Sequence, residues 1–307
     1  GFEIRDAATL EKVAGFPQLP IPGQTCALSP DGETVFTGTE LCHLKSGETR
    51  TLRTQQSEFL TGLAFDAEGQ LLLVNPGEIL RMDLASQTVQ RKYLPPGGSG
   101  IRDVCATAAG TVSAIYRDRS YELLTWDGPS GRLLSRLPLA AEYTSDLAVS
   151  DDGRIAAVRT GGKFVLYDLR DQRRASTIAL EGYKLYAGTL NGRGTRVLTA
   201  APPGYGRDAR NDDREPCGIL WDAASGRRLR TYYFDRPRGT ALSFDRVSFS
   251  PNGQVAGTAG YQRTFKTGQR QGVVVLWNTE TGTILGPLRE HDAGGDAAWR
   301  QAGRYLV

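Results

Sequence analysis

Charged side chains are concentrated in one segment, Gly204 to Pro216, which reads GYGRDARNDDREP. Its charged positions include Arg207, Asp208, Arg210, Asp212, Asp213 and Arg214. A calcium loop needs alternating carboxylates, but here three arginines interleave with the aspartates and would repel the cation. A phosphate loop needs a following helix whose N-terminus faces the anion, and no helical pattern follows. The segment is therefore interpreted as a solvated charged loop or, alternatively, as a loop that binds a partner.

Catalytic constellations are scarce. The sequence contains no Walker loop, no GxSxG and no HExxH. Its two histidines, His43 and His291, fall in different parts of the chain, and the four cysteines form neither CxxC nor a Cys/His cluster. The sequence therefore predicts no catalytic residue, no metal site and no cofactor.

A short turn recurs along the whole chain, and the other elements can be placed relative to it. It reads SPDG at Ser29 to Gly32, DAEG at Asp66 to Gly69, SDDG at Ser150 to Gly153 and SPNG at Ser250 to Gly253, with looser copies ending at Gly110, Gly194 and Gly303. From Gly32 the turn glycines follow after 37, 41, 43, 41, 59 and 50 residues. That spacing is close to the period of about 40 to 45 residues expected for four-stranded propeller blades.

A second mark follows each turn, where a strand ends in an apolar or aromatic residue and a polar one. The copies are LCHLKSG (41–47), RMDLASQ (81–87), TWDGPSG (125–131), LYDLRDQ (166–172), LWDAASG (220–226) and LWNTETG (276–282). The seventh copy lies at the other end of the chain, FEIRDAATL at 2–10, followed by KVAGF. The chain thus begins with the second half of a unit and stops after the first half of one.

The paired SPDG-type turn and WD-type strand end resemble the WD-repeat β-propeller family, in a diverged, bacterial-type form, over essentially the whole chain. The resemblance implies an all-β, seven-bladed propeller of four-stranded antiparallel blades, a single domain spanning 1–307. Blade seven is expected from residues 1–17 and 296–307, so that both termini meet and close the ring. The Gly-His pair of the family is kept only near His291, and His43 replaces the Asp of WD in blade one. Because Gly1 stands directly before a half-blade, the domain is expected to belong to a longer polypeptide.

Three tryptophans occupy the repeated position in the third strand of a blade and are expected to pack between blades: Trp126, Trp221 and Trp277. Trp299 falls in an inner strand and is also expected to be core. The cysteines are Cys26, Cys42, Cys105 and Cys217. They are interpreted as buried free thiols, although Cys26 and Cys42 share a blade at the edge of disulfide reach.

Two repeats are longer than the others. If strands are lettered a to d from the channel outward, the b to c and d to a connections emerge on one face of the ring, here termed the loop face, and the a to b and c to d turns on the other, the turn face. The extra residues, 201–217 and 260–272, both fall between strands b and c, in blades five and six. The long d to a connection 233–239 runs between them. Three irregular segments are therefore expected to converge on one rim of the loop face.

Arginine and tyrosine interleave in these segments, a composition typical of interface hot spots. The candidate partner-binding residues are Arg236, Arg238, Arg263, Arg270, Tyr205 and Tyr261.

The sequence therefore favours a non-catalytic interaction scaffold, or a sensor or targeting module of an associated effector. Its partner would be another protein or an effector domain of the same polypeptide. One alternative is a nucleic-acid or anionic ligand on the arginine-rich rim. The net charge of +3 is too mild to argue for nucleic acid by itself. Another alternative is an enzyme or small-ligand propeller using the central channel, whose strands offer mainly small apolar residues.

No run of 18 apolar residues exists, so no membrane span is predicted, and a cytoplasmic location is expected.

Overall fold

The computed structural model describes residues 2–6, 12–16, 27–36, 40–52, 60–140, 142–202, 214–250, 252–289 and 305–306. The regular structure of these residues is β-strand, β1 to β27 in chain order. None of them belongs to a helix with the length and hydropathy that crossing a membrane requires. The all-β prediction is confirmed.

Six sheets have four antiparallel strands each, in the order a to d. Blade one contains β3 (Ala27–Leu28), β4 (Thr34–Phe36), β5 (Glu40–His43) and β6 (Thr49–Thr51), and blade two contains β7 (Gly62–Phe65), β8 (Leu71–Val74), β9 (Ile79–Asp83) and β10 (Thr88–Tyr93). Blade three contains β11 (Ile101–Ala106), β12 (Thr111–Arg117), β13 (Tyr121–Asp127) and β14 (Leu133–Pro138), and blade four contains β15 (Thr144–Val149), β16 (Ile155–Thr160), β17 (Lys163–Asp168) and β18 (Arg173–Ile178). Blade five contains β19 (Gly188–Leu190), β20 (Arg196–Ala200), β21 (Arg214–Asp222) and β22 (Arg228–Asp235), and blade six contains β23 (Thr240–Phe249), β24 (Val255–Thr264), β25 (Arg270–Asn278) and β26 (Ile284–Arg289).

The two ends of the chain meet in one further sheet of three strands. Its order is β2 (Lys12–Phe16), β1 (Phe2–Asp6) and β27 (Tyr305–Leu306), with Arg5 opposite Leu306. The prediction of seven four-stranded blades is therefore corrected to six, together with this terminal sheet. The C-terminal strand is only two residues long, and residues 296–300, where the inner strand of blade seven was expected, lie outside the described part of the chain.

The repeated glycine is required by the backbone of each a to b turn. In all six blades this residue has a φ between +70° and +80°, a region that L side chains rarely adopt. Its N–H donates to the carbonyl three residues earlier, for example Gly32 to Ser29 at 2.9 Å and Gly253 to Ser250 at 2.8 Å. The looser copies at Gly110 and Gly194 make the same bond. Gly303 lies outside the described residues.

Aspartate at the end of strand c holds the next turn together. Asp83, Asp127 and Asp222 each accept a hydrogen bond from the backbone N–H of the serine three residues later, at 2.7 to 2.9 Å. In blade six the amide oxygen of Asn278 accepts the same bond at 2.9 Å. In blade one His43 stands at this position, and its Nδ1 lies 3.4 Å from the N–H of Ser46. The polar residue of the WD mark is therefore a turn cap.

The apolar core lies between consecutive blades. Leu123 and Leu124 are adjacent in β13 and point to opposite faces of the sheet, yet both are fully buried. One face of blade three packs against blade two and the other against blade four. Outer strands such as β10 are largely exposed. Apolar residues are consequently needed on both faces of strands b and c.

The tryptophans of strand c lie in these inter-blade layers. Trp126, Trp221 and Trp277 are 1%, 3% and 0% exposed. The indole N–H of Trp221 donates to Oγ1 of Thr199 at 2.9 Å, and the ring of Trp277 stacks on Tyr232 with centroids 4.9 Å apart. Trp299 lies outside the described residues.

The described cysteines are free thiols. Cys42 and Cys217 are buried and Cys105 is half-buried. Burial raises the pKa of the Cys42 thiol, so it stays protonated at neutral pH and packs as a small apolar side chain. Cys26 lies outside the described residues.

Deleting residues 1–17 removes β1 and β2 and leaves β27 without its partner strand. We expect the melting temperature and the solubility to fall together, because unpaired strand edges invite association. Scanning fluorimetry and size-exclusion chromatography measure both effects. A control that replaces these residues with a Gly/Ser segment of equal length should behave like the deletion. Unchanged melting and a monodisperse truncated protein would contradict the role of the terminal sheet.

Trp221→Ala should destabilise the protein by about 3 to 5 kcal/mol, because it empties a buried layer and leaves Thr199 without its donor. Urea unfolding followed by circular dichroism gives the free energy. Leu229→Ala is the matched control in the neighbouring strand, since Leu229 is exposed and its loss should change stability by no more than about 0.5 kcal/mol. Equal effects of the two substitutions would contradict the packing described.

Candidate interaction surface

Strands of blades five and six continue beyond the loop face. In blade six, pairing runs up to Thr240 opposite Thr264 and Arg263 opposite Arg270, which leaves only residues 265–269 as a turn. The prediction of an irregular loop at 260–272 is thus wrong, because this segment is the end of a long hairpin. In blade five, β21 and β22 pair up to Arg214 opposite Asp235. We call residues 214–217, 233–243 and 260–272 the raised wall. From Gly260 to Thr264 it extends roughly 13 Å at the rise of a β-strand.

One side of the raised wall is packed onto blade five. Leu242 and Phe244 belong to the same buried cluster as Cys217, Tyr232 and Phe234. Alternation along β22 places Tyr232 in this layer and leaves Tyr233 exposed. The wall is therefore supported by apolar contacts across two blades, which makes it a fixed surface.

The opposite side of the raised wall carries three of the predicted residues. Tyr261, Arg263 and Arg270 share this side because they alternate with the residues that face blade five. The guanidinium carbon of Arg270 lies 4.7 Å from the centroid of the Tyr261 ring, a cation–π contact. The structure thus brings these three residues together.

The turn at 236–239 contains the other two described candidates. Arg236 is mostly buried, its Nε lies 3.5 Å from Oε2 of the buried Glu215, and its Nη1 donates to the carbonyl of Thr240. The carbonyl of Gly239 accepts a bond from the N–H of Phe265 at 2.9 Å. Arg236 therefore secures the turn, whereas Arg238 is exposed at its tip. Tyr205 lies outside the described residues, as do residues 203–213 of the charged segment.

Aromatic residues on the loop face extend beyond the predicted set. The exposed aromatic side chains of the described residues all lie on this face: Tyr143, Tyr183, Tyr186, Tyr233 and Phe265. The first three belong to d to a connections next to blade four, where the repeat has no packing position for an aromatic residue. An aromatic residue in such a connection is the sequence feature by which these three exposed tyrosines could have been recognised.

The central channel is more charged than its inner strands suggested. Asp103 of β11 accepts a bond from the N–H of Leu147 in blade four at 2.7 Å. Asp146 sits at an irregularity of β15 with φ +51° and forms an ion pair with Arg159. Asp103 therefore connects blade three to blade four, and Asp146 braces β15 against β16 within blade four. Both contacts are structural.

An open groove lies on the turn face between blades three and four. Its volume is about 450 Å³, and its lining includes Leu134, Ser135, Arg154 and Arg170. At the next junction the equivalent side chain, Ser176, donates to the carbonyl of Ala223 in the following blade. In the described part of the chain, Ser135 has no such partner in blade four, which leaves the outer part of this junction open. The groove is accounted for by this missing bridge.

The carboxylates that cap the turns have lowered pKa values. For Asp127 and Asp222 the cause is first the hydroxyl and then the backbone N–H of the serine three residues later. Among the described residues, no group of three or more His, Cys, Asp or Glu side chains could hold a metal ion.

The fold of the chain has a counterpart among solved structures. The chain is similar to Kuenenia stuttgartiensis hydrazine synthase, with 14% sequence identity and a TM-score of 0.58 over 80% of this chain and 72% of that chain. At this identity the similarity shows the propeller fold alone. No family model matches the chain, and no curated protein sequence matches it.

Stability should fall in acid because the capping carboxylates have lowered pKa values. A carboxylate of this kind stabilises the fold above its unfolded pKa of about 3.9, and the contribution is lost as the pH falls through the lower folded pKa. Melting temperatures between pH 7 and pH 2.5 measure the loss. Asp127→Asn combined with Asp222→Asn should flatten this dependence, because Asn278 makes the same cap without titrating. An equally steep acid transition in the double variant would contradict this assignment.

Proposed function

We propose that this propeller is a non-catalytic protein-interaction module whose partner binds the loop face at the raised wall. The observation that carries the proposal is the composition of the wall's free side. Arginine side chains and the ring of Tyr261 lie there on a hairpin that extends above the propeller. Blade five packs against the other side of this hairpin and holds it in place. Arginine and aromatic residues on a rigid support are the usual centres of binding energy in protein interfaces.

The surroundings of the wall support the same function. Exposed aromatic residues continue across the loop face toward blade four, and Phe265 at the tip of the wall is 64% exposed. By contrast, the carboxylates of the turn face are engaged in capping their own turns. The partner would be a separate protein or an effector domain of the same polypeptide, which would make the propeller its sensor or targeting module.

Charge reversal at the wall tests this function. The full chain is immobilised and compared with Arg238→Glu/Arg263→Glu in capture from a lysate of the source organism, with quantitative mass spectrometry as the readout. The matched control is Arg132→Glu/Arg193→Glu, which reverses two exposed charges on the turn face. We expect at least one protein to be held by the wild type and the control and lost by the wall variant. Identical captured sets for all three proteins, with intact folding, would place the site elsewhere.

A further inference from the structure

A third arginine, Arg246, lies just below the raised wall, on the side of blade six that faces away from blade five. Pairing across β23, β24 and β25 aligns three rows of residues on this side: Ala241, Arg263 and Arg270; Ser243, Tyr261 and Gly272; Arg246, Ala259 and Val274. Arg246 is exposed and follows the irregularity at Asp245 in β23. Arg246 directly precedes the inner strand expected at 247–250 and is not among the predicted partner-binding residues. We call Arg246, Arg263 and Arg270 the arginine triad.

Among the residues that the structure describes, the triad lacks the carboxylate neighbours that other arginines of this fold have. Within the described part of the chain, none of its guanidinium groups has an acidic side chain at ion-pair distance. Arg270 contacts the Tyr261 ring at 4.7 Å, and Arg246 donates to the carbonyl of Asp245 at 3.0 Å. By contrast, Arg136 pairs with Glu122 at 2.9 Å and Arg154 with Asp168 at 3.0 Å.

Two members of the triad repel one another. Arg263 and Arg270 stand directly opposite across β24 and β25, and like charges at directly opposite positions destabilise a sheet. A carboxylate placed between the two would replace this repulsion with charge-assisted hydrogen bonds. The residues of β23 that precede Arg246 on this side are small, Ala241 and Ser243, so the backbone of a ligand could approach this strand closely, while Tyr261 fills the middle row on β24.

We propose that the arginine triad binds an acidic, extended peptide segment of the partner protein. This inference rests on the proposed function and specifies the chemistry of the same site. Arg246 lies two rows below Arg263 and Arg270, a distance of roughly 13 Å along the strands. Acidic residues at positions i and i+4 of an extended chain have the same separation, since alternate residues of a strand are roughly 6.6 Å apart.

The local composition favours a peptide over a nucleic acid. The triad is a compact group on a chain of net charge +3, whereas binding through phosphates needs a longer basic track. Tyr261, in the row between Arg263 and the row of Arg246, offers a partly exposed ring suited to an apolar side chain between the two acidic residues. An acidic segment with an apolar residue would use both features.

Fluorescence anisotropy with defined probes tests the proposal on the full chain. The probes are a labelled peptide Glu-Ser-Leu-Ser-Glu extended by serines at both ends, the same peptide with Gln for Glu, and a twelve-nucleotide oligo-dT. We expect the Glu peptide to bind at least about tenfold more tightly than the Gln peptide, corresponding to one well-formed charged contact. Arg246→Gln/Arg263→Gln/Arg270→Gln should remove that difference. Arg132→Gln/Arg193→Gln/Arg227→Gln, a matched control on exposed turn-face arginines, should keep it.

Each other outcome overturns the proposal. Equal binding of the Glu and Gln peptides excludes recognition of carboxylates. Tighter binding of oligo-dT, lost in the triad variant, assigns the site to nucleic acid. Equal losses in the triad and control variants show non-specific attraction. If the peptides fail while the wall variant still loses a captured protein, the proposed function stands and only the acidic chemistry is wrong.

Arg263→Glu separates binding from folding. It puts opposite charges at facing positions, so its melting temperature should equal or exceed that of the wild type, while its preference for the Glu peptide should disappear. A lower melting temperature would show that Arg263 is needed for the hairpin itself and would overturn its role as a ligand contact.

Discussion

Burial on both faces of every blade is the constraint on which this structure depends. A four-stranded sheet with apolar residues on both faces exposes them to water when it stands alone, so each blade needs a neighbour on either side. Five buried clusters satisfy this need between consecutive blades from one to six. The terminal sheet, which joins both ends of the chain, follows from the same requirement.

The same constraint determines which parts of the chain are free to differ. Strands b and c must stay apolar, and the turn face is fixed by glycines in left-handed conformations and by capping aspartates. The b to c and d to a connections need neither apolar packing on both faces nor these turn residues, and the repeats differ most in these connections. In blade six the divergence takes the form of longer strands, so Tyr261, Arg263 and Arg270 are held on a paired backbone with defined positions.

The sequence was sufficient to predict the repeat but not the lengths of the strands in each repeat. Turn glycines and strand-end aspartates could be recognised because each does a local task with a fixed residue type, even at the looser copies Gly110 and Gly194. The hairpin at 260–272 was expected to be a loop because only one of its sides is buried, and that side uses Gln262 beside Leu242. Whether such a polar segment pairs depends on contacts with blade five, which is distant in the chain, and local composition does not reveal those contacts. The number of complete blades depended in the same way on pairing at residues 296–307.

The candidate site could be located by the same reasoning only in part. Spacing pointed to the rim on which the raised wall lies, and residue type pointed to Arg263, Arg270 and Tyr261. It could not distinguish Arg236, which is committed to Glu215, from an arginine that faces solvent, nor show that Arg246 joins the others through an irregularity in β23. Folding alone gives no reason to keep Arg263 opposite Arg270, because a neutral or acidic residue at either position would remove the repulsion. Local rules are most often broken where function requires it. The support behind the wall, with Tyr232 stacked on Trp277, fixes the backbone that carries the arginines before any ligand binds, which lowers the entropic cost of binding.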